Sequence, residues 1–249
     1  MWQSFTGGAS YGLVLPSPSV DTAPASFLAG QVHPDFQRRG IGRALMTWEI
    51  DRALEDRKGR PGTAEVTAPE GSAAHRLACN LGLQEKRRWR QLHRTVPQNS
   101  LQVLMPHRVR VARGDEVDHD PLREHRNRCF HHGPYLDASA WAEFTRGSDL
   151  RWDLSRVAYE ESGELVGAIY VRVAPGHDAY IDSLVVSPEW RRRGVATALL
   201  RSTLGALQDQ GIPGVALDVN TSNTSGAASL YEREGFRQTG ALVTLALTW

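Results

Sequence analysis

Read as a pattern of apolar and polar positions, the chain repeats itself. Two short apolar stretches, residues 27–32 and 179–186, are each closed by a proline, Pro34 and Pro188, and have the length of buried strands. After a polar loop, Ile41, Leu45, Trp48 and Leu54 recur at roughly helical spacing, as do Val195, Leu199, Leu204 and Leu207. This predicts a helix after each strand, packing one face on a sheet. Gly59 and Gly211 follow as stop signals. Residues 63–67 and 214–219 then read as strands, each succeeded by a short helix. The order strand, glycine loop, helix, strand, helix implies α/β layering around a central mixed sheet.

The two copies agree in detail. Residues 32–45, VHPDFQRRGIGRAL, align with residues 186–199, VSPEWRRRGVATAL, at a constant offset of 154, and residues 76–83 align with 229–236 at an offset of 153. Two blocks that keep their separation to within one residue mark a duplicated unit. Breaker residues from Val96 to Ser100 place the boundary near residues 96–106, so the expected domains are 1–98 and 99–249. The second half has the longer lead-in, with predicted helices over 120–130 and 138–145 and strands over 156–159 and 165–172. Only 36 residues precede the loop at Gln37. The first half is therefore expected to be a shortened domain without the initial strand and helices.

Composition narrows the function classes. With 41% hydrophobic and 23% charged residues, 249 residues can build a substantial core, as one large domain or two of about 100 to 150 residues. A net charge of +1 lacks the footprint of a nucleic-acid binder or a membrane-surface protein. Two cysteines, Cys79 and Cys129, support neither a disulfide framework nor a structural zinc site. No basic segment leads into an apolar stretch at the N-terminus, and no run of 18 apolar residues occurs. The expectation is a soluble cytoplasmic protein with no metal and no nucleic-acid or membrane partner.

The loops carry the candidate chemistry. A loop entering a helix with small residues at spaced positions brings backbone N–H groups to the helix's positive end, where phosphates bind. Gly194 and Ala196 remove bulk there, and Arg191 and Arg193 add charge-assisted donors. Alone, such spacing is equally consistent with a tight turn beside a solvated arginine cluster.

The sequence resembles the GNAT superfamily of acetyltransferases, whose signature is Gln/Arg-x-x-Gly-x-Gly/Ala. Both Arg191-Arg192-Arg193-Gly194-Val195-Ala196 and Gln37-Arg38-Arg39-Gly40-Ile41-Gly42 fit it. A later family signature, an Asn followed by Leu-Tyr-Glu-x-x-Gly-Phe, is found as Asn223 and residues 230–236. The tandem layout is similar to that of the mycothiol synthase family. The resemblance implies acetyl-CoA as co-substrate, lying where two neighbouring strands splay apart. It implies backbone contacts at Leu184, Val185 and Val186, a pyrophosphate cradle of Arg191, Arg192, Arg193, Gly194, Val195, Ala196 and Thr197, and a pantetheine contact at Asn223. A helix N-cap role is equally open to Asn223.

Acetyl transfer from a thioester to an amine needs a neutral amine, donors for a developing oxyanion and a proton for the leaving thiolate. Asp182, at a position where relatives carry Asp or Glu, is either the proton acceptor or an orienting carboxylate. Backbone N–H groups around Val185 and Val186 are the expected oxyanion donors. By resemblance Tyr231 protonates the thiolate, with an aromatic packing role as its alternative. At the repeat offsets Asp182 falls on Leu28 and Tyr231 on Ala78, so the first half is read as non-catalytic. The acceptor pocket is expected around His125, His131, His132, Tyr135, Trp141 and Glu143, and neither metal binding by the histidines nor a nucleophilic Cys129 is favoured.

The resulting expectation is an N-acetyltransferase acting by direct attack of a small-molecule primary amine on the thioester. The alternatives are mycothiol-synthase-like acetylation of a cysteinyl amine, against which Tyr180 stands where a Glu would be expected, and a non-enzymatic acyl-CoA sensor. The acceptor, the acyl chain length, cofactor binding by the first loop and the oligomeric state, a homodimer included, are left open.

Overall fold

A computed structural model describes residues 3–7, 10–17, 25–96, 102–129, 135–223 and 225–249. The breaker segment 97–100 and the histidines at 131 and 132 lie outside the described residues. In chain order the elements are β1 (Gln3–Gly7), β2 (Ser10–Ser17), β3 (Ala25–Val32), α1 (Ile41–Arg57), β4 (Thr63–Pro69), α2 (Ala73–Asn80) and β5 (Gln84–Thr95). They continue with β6 (Val109–Arg113), α3 (Asp120–Cys129), α4 (Ala138–Arg146), β7 (Arg156–Glu160), β8 (Leu165–Val173) and β9 (Ala179–Val186). The last four are α5 (Val195–Asp209), β10 (Gly214–Asn220), α6 (Ala227–Arg233) and β11 (Arg237–Thr248). Every strand and helix anticipated around the two loops is present, with ends displaced by no more than three residues. The first half holds three strands before its loop. Among the described residues the second holds four strands and two α-helices there.

The chain divides into two compact units. The first comprises residues 1–90, 220–222 and 240–249, and the second residues 91–219 and 223–239. In the first unit β2 pairs antiparallel with β1 and β3, and β3 runs parallel to β4 only from Ala25 to Phe27. The free edge of β4 is closed by β11, where Leu242 to Thr248 pair antiparallel with Pro69 to Thr63. Met46, Ile50 and Ala53 of α1 pack with Leu28, Val66, Val243 and Leu245. The C-terminal strand therefore completes the core of the unit built mainly from the first half.

In the second unit the strand order is β10-β9-β8-β7-β6. Apolar residues of α5, among them Val195, Leu199, Leu200, Leu204 and Leu207, pack on one face with Val166, Ile169, Ile181 and Leu217. The other face is covered by Leu122 and Cys129 of α3, with Trp141 and Phe144 of α4, over Ala168, Tyr170 and Val185. Each fully buried leucine contributes roughly 1.5–3 kcal/mol by burial. Leu92 and Val96 lie in this core, so the last strand of the first half also serves the second unit.

Candidate active site

The two glycine loops fold alike. After β9, Pro188–Trp190 form a 3-10 turn, Arg191 is extended, Arg192 takes φ 62° and Gly194 φ 86°, and α5 begins. After β3, Pro34–Phe36 form the same turn, Gln37 is extended, Arg38 takes φ 64° and Gly40 φ 83°, and α1 begins. The side chains repeat too. Arg191 Nε donates to the Val186 carbonyl at 3.2 Å, and Gln37 Nε2 donates to the Val32 carbonyl at 3.1 Å. The Arg193 guanidinium lies 5.2 Å from the Trp190 ring centre and that of Arg39 5.4 Å from Phe36. A left-handed arginine costs roughly 1–2 kcal/mol, which these side-chain anchors help to offset.

The helix entrance is electropositive and open. Gly194 caps α5 without a side-chain bond, and the first intrahelical donor is Ala198, 2.9 Å from the Gly194 carbonyl. The N–H groups of Gly194, Val195, Ala196 and Thr197 have no acceptor within the helix. Arg191, Arg192 and Arg193 are exposed around them, while the Val195 side chain is buried and ties the turn to the core. Successive N–H groups at a helix start, ringed by guanidinium groups, are an arrangement able to receive a phosphate.

Beside the loop the sheet opens. β9 and β10 pair only at Ala179 with Val215 and Tyr180 with Ala216. On its other edge β9 stays paired with β8 as far as Val186. Ser187 N–H bonds the Val166 carbonyl at 2.9 Å. Peptide directions alternate along an antiparallel strand, so Val185 also points its peptide groups at β8, and Leu184 and Val186 point theirs to the side vacated by β10. Of the three expected backbone contacts, Leu184 and Val186 face the opening. The Val185 N–H is engaged in the ladder and its side chain is buried in the core.

A β-bulge explains this phase. Tyr170 is opposite Ser183, but the next residue of β8, Val171, is opposite Ile181, which leaves Asp182 as the extra residue. The bulge turns neighbouring side chains onto one face. Ile181 and Leu184 pack toward α5, whereas Val185 packs toward α3 and α4. Asp182 is therefore displayed on the α3/α4 side at the point where the sheet parts.

There Asp182 is not a free carboxylate. It accepts from Arg172 Nε at 3.1 Å, and Arg172 also donates to Asp149 at 2.9 Å and to the Phe144 carbonyl at 3.1 Å. Arg126, buried in α3, is held below the usual arginine range by burial and is partly compensated by the charge of Asp182. Tyr180 and Asp218 join the same face. The Tyr180 hydroxyl donates to Asp218 at 3.2 Å, and burial pushes both groups up from their ordinary values. Asp218 was not singled out by sequence, although its place in Gly214–Asn220 between the buried residues Leu217 and Val219 put it on the polar-facing side of a strand.

Tyr231 lies in α6, 6% exposed, with its ring edge-on to Phe236 at 5.6 Å. Its hydroxyl has no hydrogen-bond partner among the described residues, and burial raises its pKa well above the ordinary phenol value. The side chain is thus part of the core and, at the same time, a neutral donor. Asn223 Oδ1 accepts from the Ser225 N–H at 2.9 Å, while the N-cap of α6 is Gly226. The capping role is thereby excluded for Asn223, and its amide NH₂ group is left without an acceptor among the described residues.

Of the expected acceptor residues, Trp141 stacks on Phe144 and packs in the α3/α4 core, Glu143 and Tyr135 are exposed, and His125 is buried. His125 Nε2 is 3.0 Å from Ser187 Oγ and 3.6 Å from Cys129 Sγ. Burial lowers its pKa to about 4, so it is a neutral strut between α3 and the start of the glycine loop.

Comparison with known proteins accords with this geometry. The model of the acetyltransferase (GNAT) family matches residues 119–236. The mycothiol acetyltransferase of Salinispora arenicola is 31% identical over 90% of this chain and 74% of its own length. Across the first such relatives the match spans 65% to 74% of their length, so the chain corresponds to about two thirds to three quarters of them. A crystal structure of a GCN5-related N-acetyltransferase from Sphaerobacter thermophilus has TM-score 0.79 and 25% identity, covering 96% of this chain and 76% of that one. A tandem GNAT protein from the clavulanic acid biosynthesis pathway shares the fold, with TM-score 0.71 at 18% identity over 98% of this chain and 81% of its own. The chain belongs to the acetyltransferase (GNAT) family.

Proposed function

We propose that this chain is an acetyl-CoA-dependent N-acetyltransferase that acetylates a primary amine of a small molecule, with turnover confined to the second unit. The observation that carries the reading is the parting of β9 from β10 directly ahead of the uncapped start of α5. A phosphate-bearing ligand with a long amide-containing arm fits both features. The anionic end meets the N–H groups of Gly194 to Thr197 and the three arginines, and the arm pairs with the Val186 N–H and the Leu184 carbonyl, the Val186 carbonyl being held by Arg191. Asn223 adds a side-chain amide to that edge.

Acetyl-CoA supplies an acetyl group activated as a thioester. The Leu184 N–H, the outward-facing donor farther from the phosphate loop, is a fixed dipole available to the acyl oxygen, where developing charge is best stabilised by a dipole that need not reorganise. Tyr231 holds a proton at neutral pH and supplies it toward sulfur. Its raised pKa makes complete transfer to a thiolate of ordinary pKa near 8.5 uphill, so donation accompanies C–S cleavage rather than preceding it. Asp182, fixed by Arg172, orients the acceptor side. The first unit has Leu28 and Ala78, both buried, at the positions of Asp182 and Tyr231.

A cysteinyl amine is the second acceptor reading, favoured by the name mycothiol acetyltransferase carried by the relatives. Thiol release from acetyl-CoA across a panel of amino sugars, polyamines, amino acids and a cysteinyl amine tests both readings. Turnover with one class identifies the acceptor. Tight acetyl-CoA binding without thiol release from any of them contradicts the transferase reading and favours a sensor.

A further inference from the structure

We propose that Asp218, poised by Tyr180, is the group that receives the acceptor's ammonium and removes its proton. The inference rests on the transferase reading and adds a catalytic residue to it. Asp182 and Asp218 share the sheet face where the strands part, yet their partners differ. The charge of Asp182 is met by Arg172 at 3.1 Å. Asp218 accepts only neutral donors, the Tyr180 hydroxyl and Gln91, and has no cationic partner among the described residues. A half-buried carboxylate without a counter-charge is unfavourable unless a ligand brings one. A primary ammonium is the cation that this reaction supplies.

The groups around it do not compete for that cation. On β9 stand Tyr180 and Asp182, the latter backed by Arg172 of β8 and by the charge of Arg126 of α3. On β5 stand Gln91 and His93, and His93 is bonded to Asp178 at 2.9 Å. Both Asp182 and Asp218 act electrostatically on Tyr180, which keeps its proton and so remains a donor to Asp218. The register pairs Ala216 with Tyr180 in the second unit and Ala64 with Ser26 in the first, so the counterpart of Asp218 is Val66, a core residue. The carboxylate is present only in the unit assigned turnover.

In the step itself, Asp218 takes one proton from R–NH₃⁺ and later releases it to water. The nitrogen pair forms the C–N bond to the acetyl carbon, and the C–S bond breaks with its electron pair going to sulfur. Sulfur takes the Tyr231 proton, and Tyr231 is restored by the second proton shed from nitrogen. The sum is ammonium plus thioester giving amide, thiol and one proton released to water, with no other reactant.

The test is thiol release by the full chain against a reactive amine, with acetyl-CoA affinity measured separately by calorimetry. Asp218→Asn is expected to lower kcat/KM for the amine about 100-fold or more, the usual contribution of a general base. It should also abolish the acidic limb of the pH profile and leave the acetyl-CoA Kd within about twofold, since neither the phosphate loop nor the outward peptide groups of β9 are altered. Tyr180→Phe removes a hydrogen bond that favours the charged carboxylate, so the acidic limb should move to higher pH with the alkaline plateau retained. Wild-type kcat/KM and an unshifted limb in both variants would overturn this role while leaving the transferase reading intact. Absence of thiol release by the wild type with every amine, despite cofactor binding, would overturn the transferase reading and this role together.

Discussion

The two glycine loops teach what duplication preserves. Their backbone angles, their carbonyl anchors and their guanidinium–aromatic contacts repeat at one offset, and in each unit the strand before the loop leaves its parallel neighbour after two or three pairs. The residues that can move protons do not repeat. Tyr180, Asp182, Asp218 and Tyr231 of the second unit stand where the first has Ser26, Leu28, Val66 and Ala78, all buried. On the proposed reading, anion capture is a property of the strand–loop–helix backbone and the chemistry is set by four side chains.

The largest of these effects should come from removing from the second unit a hydroxyl that the first unit lacks. Tyr231→Phe keeps the ring in its packing against Phe236 and removes only the hydroxyl, so kcat should fall on the order of 100-fold with little change in the acetyl-CoA KM. Unchanged steady-state kcat would reduce Tyr231 to a packing residue.

The next effect is on stability and belongs to the first unit. Glu49 of α1 occupies the repeat position of Thr203, is 2% exposed and leaves Oε1 without a partner among the described residues. A Cβ on Gly12 or Gly30 would lie 2.9 or 2.7 Å from that oxygen, so the two glycines make room for the carboxyl. Burial raises its pKa from 4.5 to about 7. Below pH 4.5 the group is protonated in folded and unfolded chains alike. Between pH 4.5 and 7 only the unfolded chain ionises, which removes on the order of 2–3 kcal/mol of stability as pH rises. Urea melts of Glu49→Gln should lose that pH dependence and show the variant more stable than wild type at pH 8.

The smallest effect separates the loops directly. Gly194→Val places a β-branched side chain at φ 86°, where the conformational cost alone is roughly 1–2 kcal/mol, so the acetyl-CoA KM should rise about tenfold. Gly40→Val introduces the same strain at φ 83° in the first unit, and turnover should be within about twofold of wild type. Equal losses in the two variants would show that the first loop supports catalysis.

Much of this fold was legible because the loop-flanking elements announce themselves locally, through an apolar run, a proline, glycines and a helical period. Ala179–Val186 matches the expected strand end for end. β5 and β11 were not foreseen. β5 carries Lys86, Arg87, Arg88, Arg90 and Arg94, and it reads as a solvated segment until its partners are known. Glu65 of β4 is buried and bonded by Lys86 and Arg87, a pairing 21 and 22 residues apart in sequence. β11 pairs with β4 across more than 170 residues, which no local period reveals. At the site, the positions of the loop residues followed from spacing. The distinct orientation of Val185 did not, because it depends on a bulge at Asp182, and neither did the role proposed for Asp218, which rests on its having no cationic partner among the described residues while Asp182 has one.

Acetyl-CoA is proposed to lie between β9 and β10 with its pyrophosphate at the start of α5. A crystal structure with acetyl-CoA tests it most directly. Pyrophosphate oxygens are expected within hydrogen-bond distance of the N–H groups of Gly194 to Thr197, with the arm paired with Leu184 and Val186. Density for the ligand elsewhere, with β9 and β10 closed on each other, would contradict it.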